Sequence, residues 1–146
     1  MALVGWRELV DLPALGLRRV PAKIDTGART SSLHAKVIES VERDGERWVR
    51  FAVDYGTTHV HQVCEAVRVD RRTIVSSNGE AQERLIVKTA LKLGEQEFRA
   101  EFSLADRSDM VFPILIGRTA LRRRFAVDSG HSYLQASPDE RRRLLK

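Results

Sequence analysis

Hydrophobic and polar residues alternate in the segment 47–55, which is the pattern of a β-strand with one buried face. Val49, Phe51, Val53 and Tyr55 fall on one side of this segment. The residues between them include the charged Arg50 and Asp54. The spacing therefore predicts a strand that turns its apolar side to a core.

Four further segments have strand patterns. The segments 84–94 and 97–105 are joined by a short Gly-Glu-Gln connection. The chain before Asp25 also indicates a strand, which enters a turn at Asp25-Thr26-Gly27. The continuous apolar run 111–117 predicts a strand that is buried on both faces.

Two dipeptides indicate tight hairpins between strands. Asp44-Gly45 and Asn78-Gly79 are both pairs that supply the positive φ angles of a hairpin turn. We expect a strand to enter and another to leave at each of these positions.

Helical signals are few. The segment 118–125 predicts one or two helical turns, and Ser137-Pro138-Asp139-Glu140 has the capping-box pattern that opens a short basic helix over 137–146. These patterns predict a mainly β protein, a closed or strongly curled β-barrel with one or two short helices, formed by a single domain over residues 1–146.

The composition limits the class of protein. The 146 residues are 42% hydrophobic and 31% charged, as in ordinary globular domains, and the single cysteine, Cys64, excludes an internal disulfide framework. The N-terminal residues match neither a leader peptide nor a membrane span, so we expect a cytoplasmic protein with no membrane partner.

The charge balance points to an anionic partner. The formal net charge is +5, and arginine triplets occur at 122–124 and 141–143. An acidic peptide, a nucleic acid or an ordinary solvated surface would each agree with this excess. Nucleic acid is the weaker alternative, since aromatic residues make up only 6% of the chain and no recognised nucleic-acid motif is present.

Asp25 is the candidate catalytic group. It ends an apolar run, Thr26 can hydrogen-bond nearby backbone, and Gly27 permits close approach of another segment. Two carboxylates that share a proton can activate a water and polarise a carbonyl. Because the chain has one Asp-Thr-Gly, this chemistry requires a homodimer with two copies of Asp25 on its two-fold axis. The alternative is an ordinary turn.

Ile116-Gly117 and a short helix candidate follow this tripeptide later in the chain, which is the pairing of retroviral-type aspartic proteases. The chain resembles the retropepsin-like family of bacterial proteins that carry the label ATP-dependent zinc protease. The matching segments are 5–8, 22–35, 77–87, 106–121 and 125–130.

The resemblance implies an acid-protease fold with Asp25 as the catalytic aspartate and Thr26 and Gly27 as its supporting loop. It also implies an aspartic endopeptidase that trims glutamate tails, including those added to a ribosomal protein. Viral relatives carry an acid at the position of Arg29, where it pairs with the arginine corresponding to Arg118. With two arginines here, we expect an acidic substrate to satisfy both.

The alternative for Arg118 is a local acid: Asp106, Asp109 or Asp128. A cleft of this kind needs a cover that closes over the substrate, and the hairpin at Asn78-Gly79 is the favoured candidate. The predicted substrate-binding residues around the Asp25 loop and this hairpin are Ala28, Arg29, Thr30, Ser31, Ser77, Asn78, Gly79, Arg84 and Arg118. Lys23 and Lys36 could extend this positive field. The hairpin at Asp44-Gly45 is the second candidate for a cover.

No cofactor or metal is predicted. A Walker A loop and a His-Glu-x-x-His site are both absent from the sequence. His59, His61 and Cys64 do not have sound zinc-ligand spacing on a strand. We expect His34 to be structural and Cys64 to be an inert thiol. Two other functions remain open: a non-catalytic module that binds acidic peptides, and a zinc-dependent protease.

Overall fold

The computed structural model describes residues 1–55, 60–75, 78–106 and 111–146, with the side chains of 55, 60 and 61 left out. These residues form strands and short helices in the following order: β1 Ala2–Gly5, β2 Arg7–Leu12, a 3-10 turn Pro13–Leu15, β3 Leu17–Ile24, β4 Ser31–His34, β5 Lys36–Arg43, β6 Glu46–Tyr55, β7 Val60–Val75, β8 Ala81–Leu93, β9 Gln96–Ala105, β10 Ile114–Ile116, α1 Arg118–Leu121, β11 Phe125–Asp128 and α2 Pro138–Leu144.

Six strands close into a barrel. Their order around the ring is β2, β3, β10, β4, β9 and β8, and the pairing of Asp11 on β2 with Lys92 on β8 completes it. Closure removes exposed strand edges, which would otherwise pair with other chains. The predicted mainly β barrel with short helices is confirmed.

Strands outside the ring extend this sheet and add a second one. β7, β6 and β5 continue the sheet from β8 as an antiparallel extension. β1 pairs in parallel with β11 in a separate two-stranded sheet, which joins the start of the chain to a strand near its C-terminal part.

Alternation along the strands builds the core as the sequence predicted. On β6, Val49, Phe51 and Val53 are fully buried. On β9, Phe102 and Leu104 are buried in the same core cluster. The intervening residues of β9 therefore face outward, where they form part of the site described below.

The hairpin turns occur at the predicted dipeptides. Asp44 and Gly45 both have positive φ, of 50° and 81°, and they join β5 to β6. Gly79 has a φ of 86° in the longer connection between β7 and β8. There, the Asn78 side chain accepts a hydrogen bond from the Glu80 N–H at 3.2 Å.

The prediction for 111–117 was wrong in extent. Only Ile114–Ile116 is a strand, and Val111 is 89% exposed. Ile114 and Ile116 are buried, whereas Leu115 is half-buried and faces outward. β10 lies between β3 and β4, and its three residues are enough to bridge them.

Both predicted helices form, with shorter bounds. α1 ends after Leu121, since Arg122 adopts an extended conformation, and β11 follows. α2 covers 138–144 within the predicted 137–146, and the Ser137 hydroxyl accepts a hydrogen bond from the Glu140 N–H at 3.1 Å. The Glu140 carboxylate pairs with Arg19 on β3.

Glu8 fastens the C-terminal segment to the start of the chain. Its carboxylate is 1% exposed. One oxygen accepts hydrogen bonds from the N–H groups of Gly5 and Leu134, both at 2.8 Å, and the other accepts one from Gln135 at 3.1 Å. Three backbone donors thus satisfy this buried charge.

Within the described part of the chain, no helix has the length and apolar character that crossing a bilayer requires.

Candidate active site

The Asp25 loop begins where β3 ends. The Asp25 N–H donates to the Ile116 carbonyl at 2.8 Å, which ties the loop to β10. One carboxylate oxygen of Asp25, Oδ1, accepts from the Gly27 N–H at 2.9 Å. The loop backbone therefore fixes the direction of the Asp25 side chain.

Gly117 lets this loop pass over the start of α1. A Cβ at position 117 would lie 2.8 Å from the carbonyl carbon of Thr30 and 2.9 Å from the oxygen of Ala28, which is too close for any side chain. The Gly117 N–H donates to the buried hydroxyl of Ser31 at 3.0 Å. The Asp25 loop and the start of α1 pack closely together, which explains why the Ile116-Gly117 motif needs a glycine at position 117.

Arg118 supports the loop. Its Nη1 donates to the carbonyl oxygens of Thr26 and Gly27 at 3.1 and 3.0 Å. Its backbone N–H donates to the Ala28 carbonyl at 2.8 Å. Arg118 thus contacts the loop from behind.

Among the described residues, none of the acids predicted for Arg118 forms an ion pair with it. The Asp128 carboxylate accepts hydrogen bonds from the Gly130 N–H at 3.0 Å and from His131 at 2.7 Å, and these bonds lower the pKa of Asp128. Asp106 has no ion pair with Arg118 in the described part of the chain, and Asp109 lies outside it.

Asp25 lines an open cleft of about 1150 Å³. The cleft brings the Asp25 loop together with the β7–β8 hairpin and the outer face of β4, β8 and β9. Its lining residues are Asp25, Gly27, Ala28, Arg29, Thr30, Ser32, Arg72, Thr73, Ile74, Val75, Asn78, Glu80, Ala81, Gln82, Arg84, Glu101, Leu115 and Thr119.

Most of the predicted loop residues line this cleft. Thr26, Ser31 and Arg118 do not: the Thr26 carbonyl accepts from Arg118, and the Ser31 hydroxyl accepts from the Gly117 N–H. Lys23 and Lys36 also lie outside the lining. Their position therefore does not support the prediction that these two lysines add positive charge around the substrate.

The floor of the cleft holds a buried cation among hydroxyls. Arg84 is 8% exposed, and its guanidinium donates to the Gln82 side chain at 3.0 Å and approaches the Ser103 hydroxyl at 3.5 Å. The hydroxyls of Ser32 and Ser103 are 2.9 Å apart. This floor offers donors of the kind that bind carboxylates.

Arg72 lies directly opposite Arg84 in the β7–β8 ladder, but acids neutralise it. Its guanidinium contacts Asp70 at 2.6 Å and Glu101 at 2.9 Å. The hydrogen bond from Arg72 lowers the pKa of Asp70, and the same bond raises the pKa of Arg72.

The hairpin that contributes to the cleft is the one containing Asn78-Gly79. Asn78 and Glu80 line the cleft, together with the ends of both strands, whereas the predicted Gly79 does not, and neither do Asp44 and Gly45. Ser77 lies outside the described residues, so its predicted contact stays a prediction.

Several cleft residues were not predicted from the sequence: Ser32, Arg72, Glu101, Leu115 and Thr119, together with the buried Ser103 that contacts Ser32. A signal for some of them was present. The buried Leu33 and Phe102 fix one face of β4 and β9, so Ser32, Glu101 and Ser103 must fall on the other. The alternation of apolar and polar residues could not predict that Ser31–His34 pairs with Phe102–Ala105.

The remaining predictions concern metals and nucleophiles. The described residues contain no cluster of three or more His, Cys, Asp or Glu that could hold a metal ion; His59 and the His61 side chain lie outside them. His34 Nδ1 donates to the Ala105 carbonyl at 3.1 Å, as a structural histidine would. Burial raises the pKa of Cys64 to about 11, so its thiol stays protonated at neutral pH.

A family model described as RimB-like, the retropepsin-like aspartic endopeptidase RimB, matches residues 3–138 of this chain. The crystal structure of a Legionella pneumophila protein of unknown function superposes on it with a TM-score of 0.80 at 29% identity, covering 92% of this chain and 98% of that one.

Two curated relatives are named probable alpha-L-glutamate ligase. The one from Shewanella pealeana is 37% identical over 133 residues, which cover 90% of this chain and 29% of that protein. The one from Desulfotalea psychrophila is 36% identical over 128 residues, covering 86% of this chain and 28% of that protein. The chain thus spans less than a third of the length of these relatives.

Proposed function

The chain belongs to the RimB-like family of retropepsin-like aspartic endopeptidases, and we propose that it is an aspartic endopeptidase whose catalytic group is Asp25. Two copies of the chain form the active enzyme, and each contributes one Asp25 to a shared site. The preferred substrate is an acidic, glutamate-rich polypeptide tail.

The observation that carries this proposal is the environment of Asp25. Its Oδ1 accepts the Gly27 N–H, while Oδ2 has no hydrogen-bond partner among the described residues, and the side chain lines an open cleft. A carboxylate held by one oxygen and open at the other is arranged to bind water or a second carboxyl group. A carboxylate that only stabilised the turn would not need to line a cleft.

The chemistry needs two carboxyl groups with one proton between them. The ionised Asp25 removes a proton from water, and the resulting hydroxide attacks the peptide carbonyl carbon. The protonated Asp25 of the other copy donates its proton to the carbonyl oxygen, giving a neutral tetrahedral gem-diol. Proton transfer to the amide nitrogen then breaks the C–N bond, and the products are a carboxylic acid and an amine.

A homodimer supplies the second carboxyl group most simply. The sequence contains one Asp-Thr-Gly, and a two-fold axis places equivalent residues of two copies opposite each other. Both carboxyl groups then have the same environment before substrate binds.

Two observations support an acidic substrate. Arg29 lies on the Asp25 loop and Arg84 on the cleft floor, so the reacting bond would lie near two cations. Relatives that contain a similar segment are named as glutamate ligases. A protease that removes glutamates added by a ligase accounts for both. We assign Arg118 to support of the loop instead of substrate binding.

The β7–β8 hairpin is the proposed cover of this cleft. Residues on both of its strands line the cleft opposite Asp25. Closure of such a hairpin over a bound peptide would exclude bulk water and strengthen the interactions of the reacting groups.

The test is the variant Asp25→Asn, assayed on a peptide that ends in a run of glutamates. We expect kcat to fall about 10³-fold or more, because the amide cannot take a proton from water. Asp44→Asn is the matched control, since Asp44 lies in the exposed β5–β6 turn outside the cleft. It should retain wild-type activity.

Wild-type cleavage by Asp25→Asn would overturn the mechanism. Tight binding of the glutamate peptide without turnover, by wild type and Asp25→Asn alike, would instead identify a binding module. Loss of wild-type activity on treatment with a metal chelator, restored by zinc, would favour the zinc-dependent alternative.

A further inference from the structure

A second, smaller groove of about 180 Å³ adjoins the cleft. Thr119 and Glu101 line both, so the two spaces share a border. The complete lining of the small groove is Lys88, Phe98, Arg99, Ala100, Glu101, Thr119, Ala120 and Arg124. None of these residues was predicted as part of a site.

The β8–β9 ladder sets the direction of this groove. Ser103 pairs with Ile86 at the cleft floor, Glu101 pairs with Lys88, and Arg99 pairs with Ala90. Residues two apart on a strand share a face, so Ser103, Glu101 and Arg99 form one outward row. From Ser103 to Arg99 this row is roughly 14 Å long, at about 3.4 Å per residue. An extended peptide covers that length with about four residues.

The charges along this row do not balance. Lys88, Arg99 and Arg124 line the groove, and none of them has an ion-pair partner among the described residues. Glu101 is the acid on the border, and its carboxylate accepts from Arg72 at 2.9 Å. The groove therefore keeps an excess of positive charge that protein carboxylates do not neutralise.

Arg124 is held in place within this groove. Its guanidinium stacks on the Phe98 ring at 3.8 Å from the ring centre, and its Nη1 approaches the Ala120 carbonyl at 3.4 Å. A fixed guanidinium loses less conformational entropy when it binds a carboxylate than a freely rotating one does.

We propose that this groove is an accessory binding site for an acidic polypeptide, which continues from the cleft along the outer face of β8 and β9. The inference rests on the proposed function, because it places the groove beyond the scissile bond. It adds a length requirement: the groove acts only on tails that extend about four residues past those held beside Ser32, which lines the cleft next to the buried Ser103.

An acidic peptide fits this groove better than a nucleic acid does. The space is small and continuous with the Asp25 cleft. Its aromatic ring, Phe98, is covered on one face by Arg124 and packs against the hydrophobic core, which makes it a poor stacking platform for a base. Closely spaced carboxylates along an extended peptide can bind here through the cations of the groove alone.

The test compares peptides that carry three or ten terminal glutamates. In the wild type we expect KM to be lower for the longer peptide. In Arg99→Glu, KM for the ten-glutamate peptide should rise about fivefold while kcat changes little, the size expected for a partly exposed ion pair. Lys88→Ala should give a smaller change in the same direction. Arg47→Ala, which removes an exposed arginine outside both cavities, is the matched control.

An unchanged KM for the ten-glutamate peptide in Arg99→Glu would overturn the proposal. Binding of a fluorescent deca-glutamate to Asp25→Asn, with and without Arg99→Glu, gives an answer that does not depend on turnover. If the wild type cleaves nothing, the proposed function fails, yet weaker binding on adding Arg99→Glu would still support the groove and equal binding would overturn it. Tighter binding of a twelve-nucleotide RNA than of deca-glutamate, lost in Arg99→Glu, would also overturn it.

Discussion

Glu8 lies on β2 and Asp25 directly follows the neighbouring strand β3, yet the surroundings of the two carboxylates are opposite. Glu8 is almost completely buried, and both of its oxygens accept backbone hydrogen bonds. Asp25 is half-buried, and a single backbone N–H occupies one of its oxygens while the side chain lines a cleft.

The difference separates a carboxylate that holds the fold from one that is available for chemistry. Two of the three hydrogen bonds to Glu8, from Leu134 and Gln135, join the start of the chain to its C-terminal segment, and backbone donors occupy both carboxylate oxygens. Asp25 keeps accessible hydrogen-bonding capacity, and its loop is secured instead by Gly117 and Arg118. Accessible hydrogen-bonding capacity, more than burial alone, therefore identifies the candidate catalytic group.

Glu8→Gln tests the structural half of the comparison and should have the largest effect. The amide would place an N–H₂ group against one of the backbone donors, so we expect the free energy of unfolding to fall by about 2 to 3 kcal/mol. Urea denaturation measures this change. The same chemical change at Asp25 is the control, and Asp25→Asn should alter stability by less than about 1 kcal/mol. Equal losses in the two variants would remove the distinction.

Cys64 extends the comparison to a buried thiol. Burial raises its pKa from 9.0 to about 11, which leaves about a hundredfold less thiolate at pH 8 than an ordinary thiol would have. Iodoacetamide labelling of the folded protein should be slower by at least this factor than labelling in urea. Labelling at the unfolded rate would show that the thiol is accessible.

Gly117→Ala tests how the Asp25 loop is secured. The new Cβ would meet loop backbone atoms at 2.8 to 3.0 Å, so the loop must shift, and we expect a loss of about 1 to 2 kcal/mol in stability. Activity on the glutamate peptide should fall with it. Gly130→Ala is the control, since its nearest neighbour, the Asp128 carboxylate, is 3.4 Å away. Matching thermal melts for the two variants would contradict the close packing.

The alternation of apolar residues was enough to predict the barrel class, and Asp-Thr-Gly with the later Ile-Gly carried the resemblance that implied an acid-protease fold. The floor of the cleft was harder, because Ser32 and Ser103 come from strands 71 residues apart in sequence. Arg118 shows a different limit: its charge suggested an anion, whereas its position gives it two carbonyl oxygens.

Removal of the ion pair between Glu140 and Arg19 should have the smallest effect on stability. The Arg19 hydrogen bond lowers the pKa of Glu140 below its ordinary 4.5. A depressed carboxyl pKa stabilises the fold above the unfolded-state pKa, and this stability is lost as pH falls through the folded-state value. The stability difference between wild type and Glu140→Gln should be less than about 1 kcal/mol at pH 7, because the pair is exposed, and it should vanish near pH 3. A difference that grows on acidification would contradict this assignment.

The paired-carboxylate dimer is the central claim, and a mixing experiment tests it most directly. Wild type is held at constant concentration, exchanged with a ninefold excess of Asp25→Asn and assayed on saturating glutamate peptide. If each site needs one Asp25 from each copy, activity should fall to about one tenth, since most wild-type chains then pair with the variant. An excess of Asp25→Asn that leaves the wild-type activity unchanged would contradict the shared site.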